Sequence, residues 1–81
     1  MQVKVFVTPR EGILDPQGRA TQGALKSLGF GAVKSVHIGR FIVLGLDVPN
    51  RAAAEEAAKR MCEQLLANPL IEDYRFEVEG E

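Results

Sequence analysis

The 81-residue sequence contains one cysteine, one histidine and no tryptophan. The single Cys62 excludes an intrachain disulfide and a zinc site built from several cysteines, and it fits a reducing compartment. The single His37 has no second base or thiol that the sequence places beside it as a catalytic pair. We therefore expect a cytoplasmic protein whose own chain carries no catalytic, cofactor-binding or metal-binding residues.

Excess charge of one sign is also absent. Ten Lys and Arg residues stand against eleven Asp and Glu residues, which leaves a net charge of -1. Nucleic acids and anionic membranes are bound by positive patches, so neither is an expected partner. The N-terminal residues 1–7 alternate polar with apolar side chains and lack the continuous apolar run of a signal peptide or a membrane span.

The length predicts one domain covering residues 1–81, of a size at which association often supplies part of the stability. Val3, Val5 and Val7 have the period of two that is typical of a strand with one face on a core. Asp15 offers a helix N-cap ahead of Pro16 at the first helical position. The helix that follows has one stripe of residues predicted to be buried, namely Thr21, Ala24, Leu25 and Leu28.

The second half of the sequence repeats this pattern of strands and helix. Residues 33–38 and 41–48 read as two strands joined by a tight hairpin at Gly39-Arg40. Asn50 caps a second helix, which Asn68-Pro69 ends. A last strand follows in which apolar and charged residues alternate. The buried stripe predicted for the second helix is Ala54, Ala57, Ala58, Met61, Cys62, Leu65 and Leu66.

The order β-α-β-β-α-β predicts an α+β fold of the ferredoxin-like class, a sandwich with a four-stranded antiparallel sheet and two helices on one face. The helix-free face would then leave apolar side chains in water, at a cost of about 1.5–3 kcal/mol for each one that a partner could bury. We therefore expect this face to mediate self-association. The candidate self-association residues are Phe6, His37, Phe41 and Val43.

Several functions are compatible with such a fold, because a fold alone does not determine activity. An RNA-recognition module would need basic residues around its stacking aromatics. A copper carrier would need paired cysteines, and an acylphosphatase would need an arginine and an asparagine in a phosphate-binding loop, for which Arg10 alone is thin support. A free-standing oligomeric regulatory domain, binding an amino acid or a nucleotide at a protomer interface, stays open.

Four segments together identify a resemblance that covers essentially the whole chain. They are Gly12-Ile13-Leu14-Asp15-Pro16-Gln17-Gly18, Leu28-Gly29-Phe30, Gly39-Arg40, and the run from Cys62 through Leu65-Leu66-Ala67-Asn68-Pro69 to Tyr74. In this combination and order they closely resemble the PurS family, the small subunits of phosphoribosylformylglycinamidine synthase. Any one segment alone would not be specific.

The resemblance implies a noncatalytic subunit in the fourth step of purine biosynthesis. It implies two larger partners, a glutaminase subunit that releases ammonia and a synthetase subunit that uses ATP and magnesium, held together by a dimer or dimer of dimers of the small subunit. ATP and magnesium would lie on the large subunit. The candidate partner-contact residues are Arg10, Asp15, Gln17, Arg40, Asn68, Glu72 and Tyr74.

Overall fold

A computed structural model describes residues 1–10 and 15–80 of the chain. Its strands are β1 (Gln2–Pro9), β2 (Arg40–Gly45) and β3 (Glu72–Glu79), and its helices are α1 (Pro16–Ser27) and α2 (Arg51–Met61). A π-helical segment, Cys62–Leu66, continues directly from α2. Residues 11–14, in the loop predicted between the first strand and the first helix, lie outside the described residues. The first of the four segments that resemble the PurS family starts at Gly12, so its first three residues also lie outside them.

The described strands form a three-stranded antiparallel sheet in the order β2-β1-β3. Val5 of the central strand pairs with Ile42 on one side and with Phe76 on the other. The predicted α+β class is correct, but the four-stranded sheet is wrong. Residues 33–38 join no ladder, because the chain enters β2 at Gly39-Arg40 without the predicted hairpin.

Gly39 has a different role from the one its turn-like context suggested. Its φ is not positive, whereas Gly29 and Gly80 have φ values of 100°. A Cβ at position 39 would overlap the carbonyl oxygen of Val7, so glycine is needed there for a close backbone crossing. Gly18 has a similar role in α1, since a Cβ there would overlap the carbonyl oxygen of Val36.

The core lies between the sheet and α2. Val3, Val5 and Val7 are buried on the face that the sequence predicts. The helix contributes small side chains, Ala54, Ala58 and Cys62, so that its backbone comes close to the sheet. Leu65 was predicted to join this stripe, but it is 83% exposed, because the wider π-helical turn shifts the periodicity at the end of the helix.

α1 does not pack on its own sheet. Of its residues only Gly18 is buried, and Leu28 just after it is 73% exposed. The predicted buried stripe of this helix is therefore wrong for the single chain. α1 instead contacts residues 33–38, and the molecule is elongated, with extents of 50 × 25 × 14 Å.

Candidate functional site

An open cleft of about 420 Å³ lies at one end of the sheet, where β1 ends and β2 and β3 begin. It brings together residues from three of the four segments that the sequence singled out. Its lining includes both apolar and charged side chains, so it can accept a ligand or a partner's loop of mixed character. Its lining residues are Pro9, Asp15, Pro16, Gln17, Ile38, Gly39, Arg40, Ile71 and Glu72.

Asp15 joins α1 to the chain that leads into β2. Its Oδ1 accepts a hydrogen bond of 2.9 Å from the Gly18 amide, which is the predicted helix cap. Its Oδ2 accepts a second bond of 2.9 Å from the Ile38 amide, 23 residues away. The two amides stabilise the charged form and hold the pKa of Asp15 below its ordinary value of 3.8.

Arg40, Glu72 and Asn68 form a hydrogen-bonded group at the opposite wall of the cleft. Arg40 Nη2 donates to Glu72 Oε1 at 2.9 Å and to the Leu66 carbonyl at 2.8 Å. The Asn68 amide donates to the same Glu72 oxygen at 2.7 Å. The Asn68 amide, followed by Arg40, lowers the pKa of Glu72 below 4.5. These three candidate residues therefore hold each other in place.

The loop from Asn68 to Glu72 is closed by its own first residue. Oδ1 of the Asn68 side chain accepts from the Leu70 amide at 3.2 Å, and the main-chain carbonyl of Asn68 accepts from the Glu72 amide at 2.7 Å. The Arg10 amide donates to the Ile71 carbonyl at 2.9 Å, and Arg10 Nε lies 3.6 Å from Asp73 Oδ1. Arg10 therefore lies beside the cleft and is bound to Ile71 and Asp73, on either side of Glu72.

Tyr74 does not line the cleft with the other candidates. Its hydroxyl donates to Glu63 Oε2 at 3.2 Å, under the π-helical segment. Burial, followed by the Glu63 carboxylate, raises the pKa of Tyr74 above its ordinary value of 10.0. Gln17 does line the cleft, at its exposed edge.

Sequence reasoning missed the apolar part of this region. Ile38 and Ile71 line the cleft, and Leu70, next to Ile71 in the loop that leads to Glu72, is 85% exposed. Leu70 and Ile71 follow a helix-ending proline and belong to no periodic pattern, so only their apolar character next to a predicted turn could have indicated them. Exposed side chains of this size in a cluster are typical of a contact surface.

The candidate self-association residues divide between two places. Phe6 and Phe41 lie on the helix-free face with ring centroids 5.1 Å apart, and the Arg75 guanidinium covers Phe6 at 4.0 Å. Val43 lies on the same face and is 49% exposed. His37 is elsewhere, outside the sheet, with Nδ1 3.8 Å from Asp15 Oδ2.

Within residues 1–10 and 15–80, no group of three or more His, Cys, Asp or Glu side chains is arranged to hold a metal ion. Cys62 is fully buried, and burial raises the pKa of its thiol. The cleft has charged side chains, Asp15, Arg40 and Glu72, that hydrogen bonds hold in place.

Comparison with known proteins decides the family. The family model for PurS, described as phosphoribosylformylglycinamidine (FGAM) synthase, matches residues 2–80. The chain belongs to the PurS family. The phosphoribosylformylglycinamidine synthase subunit PurS of Bacillus subtilis is 47% identical over 78 residues, which cover 96% of this chain and 92% of the relative.

Solved PurS structures have the same fold. A Bacillus subtilis PurS structure superposes with a TM-score of 0.87 over 98% of both chains, at 47% identity. A structure titled PurLQS from Thermotoga maritima contains a chain that matches with a TM-score of 0.85 at 30% identity, covering 94% of this chain and 93% of that one. The cleft therefore lies in a chain with a PurS fold, and three of the four segments that resemble the family contribute to its lining.

None of the helices in the described residues is long and apolar enough to cross a membrane.

Proposed function

We propose that this chain, as a single PurS-like domain over residues 1–81, is the noncatalytic small subunit of a cytoplasmic phosphoribosylformylglycinamidine synthase. It joins the glutaminase subunit to the synthetase subunit in the fourth step of purine biosynthesis and supports the transfer of ammonia between them. The observation that carries the proposal is the family match from residue 2 to residue 80. The Thermotoga maritima structure titled PurLQS supports the existence of such a complex in a relative.

The chemistry of the complex lies on its larger subunits in this proposal. The synthetase subunit binds ATP and magnesium, and this chain binds no cofactor. The state of its functional groups supports that division, because its single thiol is buried and the carboxylates of Asp15 and Glu72 are engaged by backbone amides. In this proposal the small subunit acts by binding the larger subunits through its surface.

The cleft and the neighbouring loop are the proposed docking surface for a larger subunit. Arg40 and Glu72 present opposite charges in a fixed geometry, and Leu70, in the loop that leads to Glu72, offers an exposed apolar side chain. Interfaces obtain most of their affinity from a few residues at a desolvated centre, among which arginine is enriched, so Arg40 is the expected central contact. Gln17 and Arg10, at the edge of the cleft, are the expected rim contacts.

Co-purification of the tagged chain with the glutaminase and synthetase subunits tests the proposal. Leu70→Ala is expected to weaken retention of at least one large subunit by about tenfold or more, because burying an exposed leucine side chain contributes about 1.5–3 kcal/mol. Arg40→Ala should weaken retention as well, although it also releases Glu72 and the Leu66 carbonyl. Retention by both variants at the level of the unmodified chain would reject the cleft as the docking surface.

A charge-matched control is available on the open face. Lys4 pairs with Glu79 at 2.7 Å, away from the cleft, so Lys4→Ala should leave co-purification unchanged. Failure of the unmodified chain to retain either large subunit would reject the function itself. Calorimetry of the isolated chain with glutamine and ATP tests the alternative function. Tight binding of either compound would favour a free-standing regulatory domain.

A further inference from the structure

Asn68 accepts hydrogen bonds from every backbone amide of the loop that follows it. Its side-chain Oδ1 accepts from the Leu70 amide at 3.2 Å. Its main-chain carbonyl accepts from the Ile71 amide at 3.0 Å and from the Glu72 amide at 2.7 Å. Pro69, between them, has no amide hydrogen and a fixed φ. Asparagine followed by proline is typical of the first two positions of a tight turn, so one residue closes the loop by local bonds.

Both ends of this loop are attached to the folded part of the chain. Ala67, which precedes it, is 6% exposed and belongs to the core. Glu72, which ends it, is the first residue of β3, and its carboxylate accepts from the Asn68 amide. The Arg10 amide donates to the Ile71 carbonyl in the middle of the loop. The conformation of the loop is therefore set before any partner binds.

The ordered loop holds an apolar side chain in water. Leu70, two residues after Asn68, is 85% exposed, and Ile71 beside it is 43% exposed. Single exposed leucines are common on protein surfaces, but this one stands at a fixed position on a closed loop. The loop amides are already bound, so the loop offers a partner its side chains rather than backbone donors. The surface that fits it is an apolar pocket and not the edge of a strand.

The cleft determines what else that partner must carry. Ile71 and Glu72, the next residues after Leu70, both line the cleft. A partner that occupies the cleft therefore lies within reach of Leu70 as well. Arg40 and Glu72 give the cleft a cation and an anion held 2.9 Å apart. The matching surface combines an apolar pocket for one leucine with polar groups for this ion pair.

We propose that Asn68 is a positioning residue for docking, which holds Leu70 in the geometry that an apolar pocket of a large subunit receives. The inference rests on the proposed function, because it specifies how the docking surface of that function is ordered. Asn68 is not among the residues that line the cleft, so it acts through Leu70. A loop that is ordered before binding loses less conformational entropy in the complex, which raises the affinity without a further contact.

The Kd of the full chain for each purified large subunit tests the positioning role. Asn68→Ala removes the acceptor of the Leu70 amide but keeps the leucine and the main-chain bonds of the loop. The Kd should rise about fivefold, from the entropy of fixing one more residue on binding. The hydroxyl in Asn68→Ser can accept the same bond more weakly, so its Kd should rise less. An unchanged Kd in Asn68→Ala, or equal rises in the two variants, would overturn the inference.

A second substitution separates positioning from direct contact. If Asn68 acts only by placing Leu70, its removal has no further effect once the leucine side chain is gone. Asn68→Ala should therefore change the Kd by less than about twofold in a Leu70→Ala background. A rise in that background as large as in the unmodified chain would show that Asn68 acts by another route, and it would overturn the positioning role.

A matched control is available at the start of α2, the end of the helix that is farther from the loop. Asn50 Oδ1 accepts from the Ala53 amide at 2.9 Å, so Asn50→Ala also removes one bond between a side chain and a backbone amide. As a lost helix cap it should lower the urea midpoint and leave the Kd unchanged. A rise in Kd equal to that of Asn68→Ala would mean that both variants act through stability, and it would overturn the positioning role.

Two outcomes distinguish this inference from the proposed function. If the unmodified chain binds a large subunit and Leu70→Ala binds it equally well, the inference is wrong and the role in the synthase stands. If sedimentation shows that Leu70→Ala changes the association of the chain with itself, a second copy covers the leucine and the inference is wrong as well. An unmodified chain that binds neither large subunit would reject the proposed function and this inference with it.

Discussion

At the scale of single residues, most of the candidate contact residues build the cleft. Asp15 and Glu72 are both held by backbone amides, and Arg40 spans from Glu72 to the end of the π-helical segment. The cap at Asp15 could be predicted, because an acidic residue before a proline is a local signal. Its bond to Ile38 could not be predicted, because it joins residues 23 positions apart.

Acid should weaken the fold partly through Glu72. In the unfolded chain this carboxyl titrates near 4.5, and in the folded chain its pKa is lower. Its contribution is therefore complete above pH 4.5 and is lost as the pH falls through the folded pKa. The urea midpoint should fall over this range in the unmodified chain and fall less steeply in Glu72→Gln. Glu56→Gln, on the exposed side of α2, should keep the slope of the unmodified chain, and an equal slope in Glu72→Gln would refute the assignment.

At the scale of elements, periodicity was reliable where a core exists within the chain. The buried valines of β1 and the alanines of α2 lie on the predicted faces. The hairpin prediction was wrong because Gly39-Arg40 has the composition of a two-residue turn but does not form one. Gly39 is instead needed where the backbone passes close to the carbonyl oxygen of Val7. The prediction of a buried stripe on α1 was wrong because this helix does not pack on the sheet of the chain.

The close approach of α2 to the sheet predicts intolerance to larger side chains. Ala58 is 0% exposed and belongs to the core cluster with the β1 valines. Ala58→Leu should destabilise the fold by about 1–3 kcal/mol, because a packed core has no room for three more carbons. Ala52→Leu, at an exposed position of the same helix, should change stability by less than about 0.5 kcal/mol. Urea unfolding of both variants measures the difference, and equal stabilities would show that α2 is loosely packed.

At the scale of the whole molecule, the sequence predicted the family and the fold class but not the openness of the fold. The segments that identify PurS lie at cleft walls and helix ends, where local signals are strong. The elongation of the chain has no local signal, because Gly39-Arg40 has the composition of a tight turn whether or not the chain folds back there.

If copies of the chain associate as the family resemblance implies, unfolding is coupled to dissociation. The thermal midpoint should then rise with protein concentration, since mass action stabilises the associated state. Circular dichroism melts at concentrations spanning about a hundredfold range would show this shift. A midpoint independent of concentration in the unmodified chain would exclude the coupling.

The position of β1 at the centre of the sheet has a consequence for the speed of folding. Gln2 pairs with Gly45 on one side and with Glu79 on the other, so neither ladder of the first strand can form from neighbouring residues. Chains whose contacts join distant positions fold slowly, because the entropy of closing a long loop is lost before any pairing compensates for it. Helix formation in α2 should therefore precede the rate-limiting step. We expect that step to be the pairing of β1 with β3, which lie near opposite ends of the described chain.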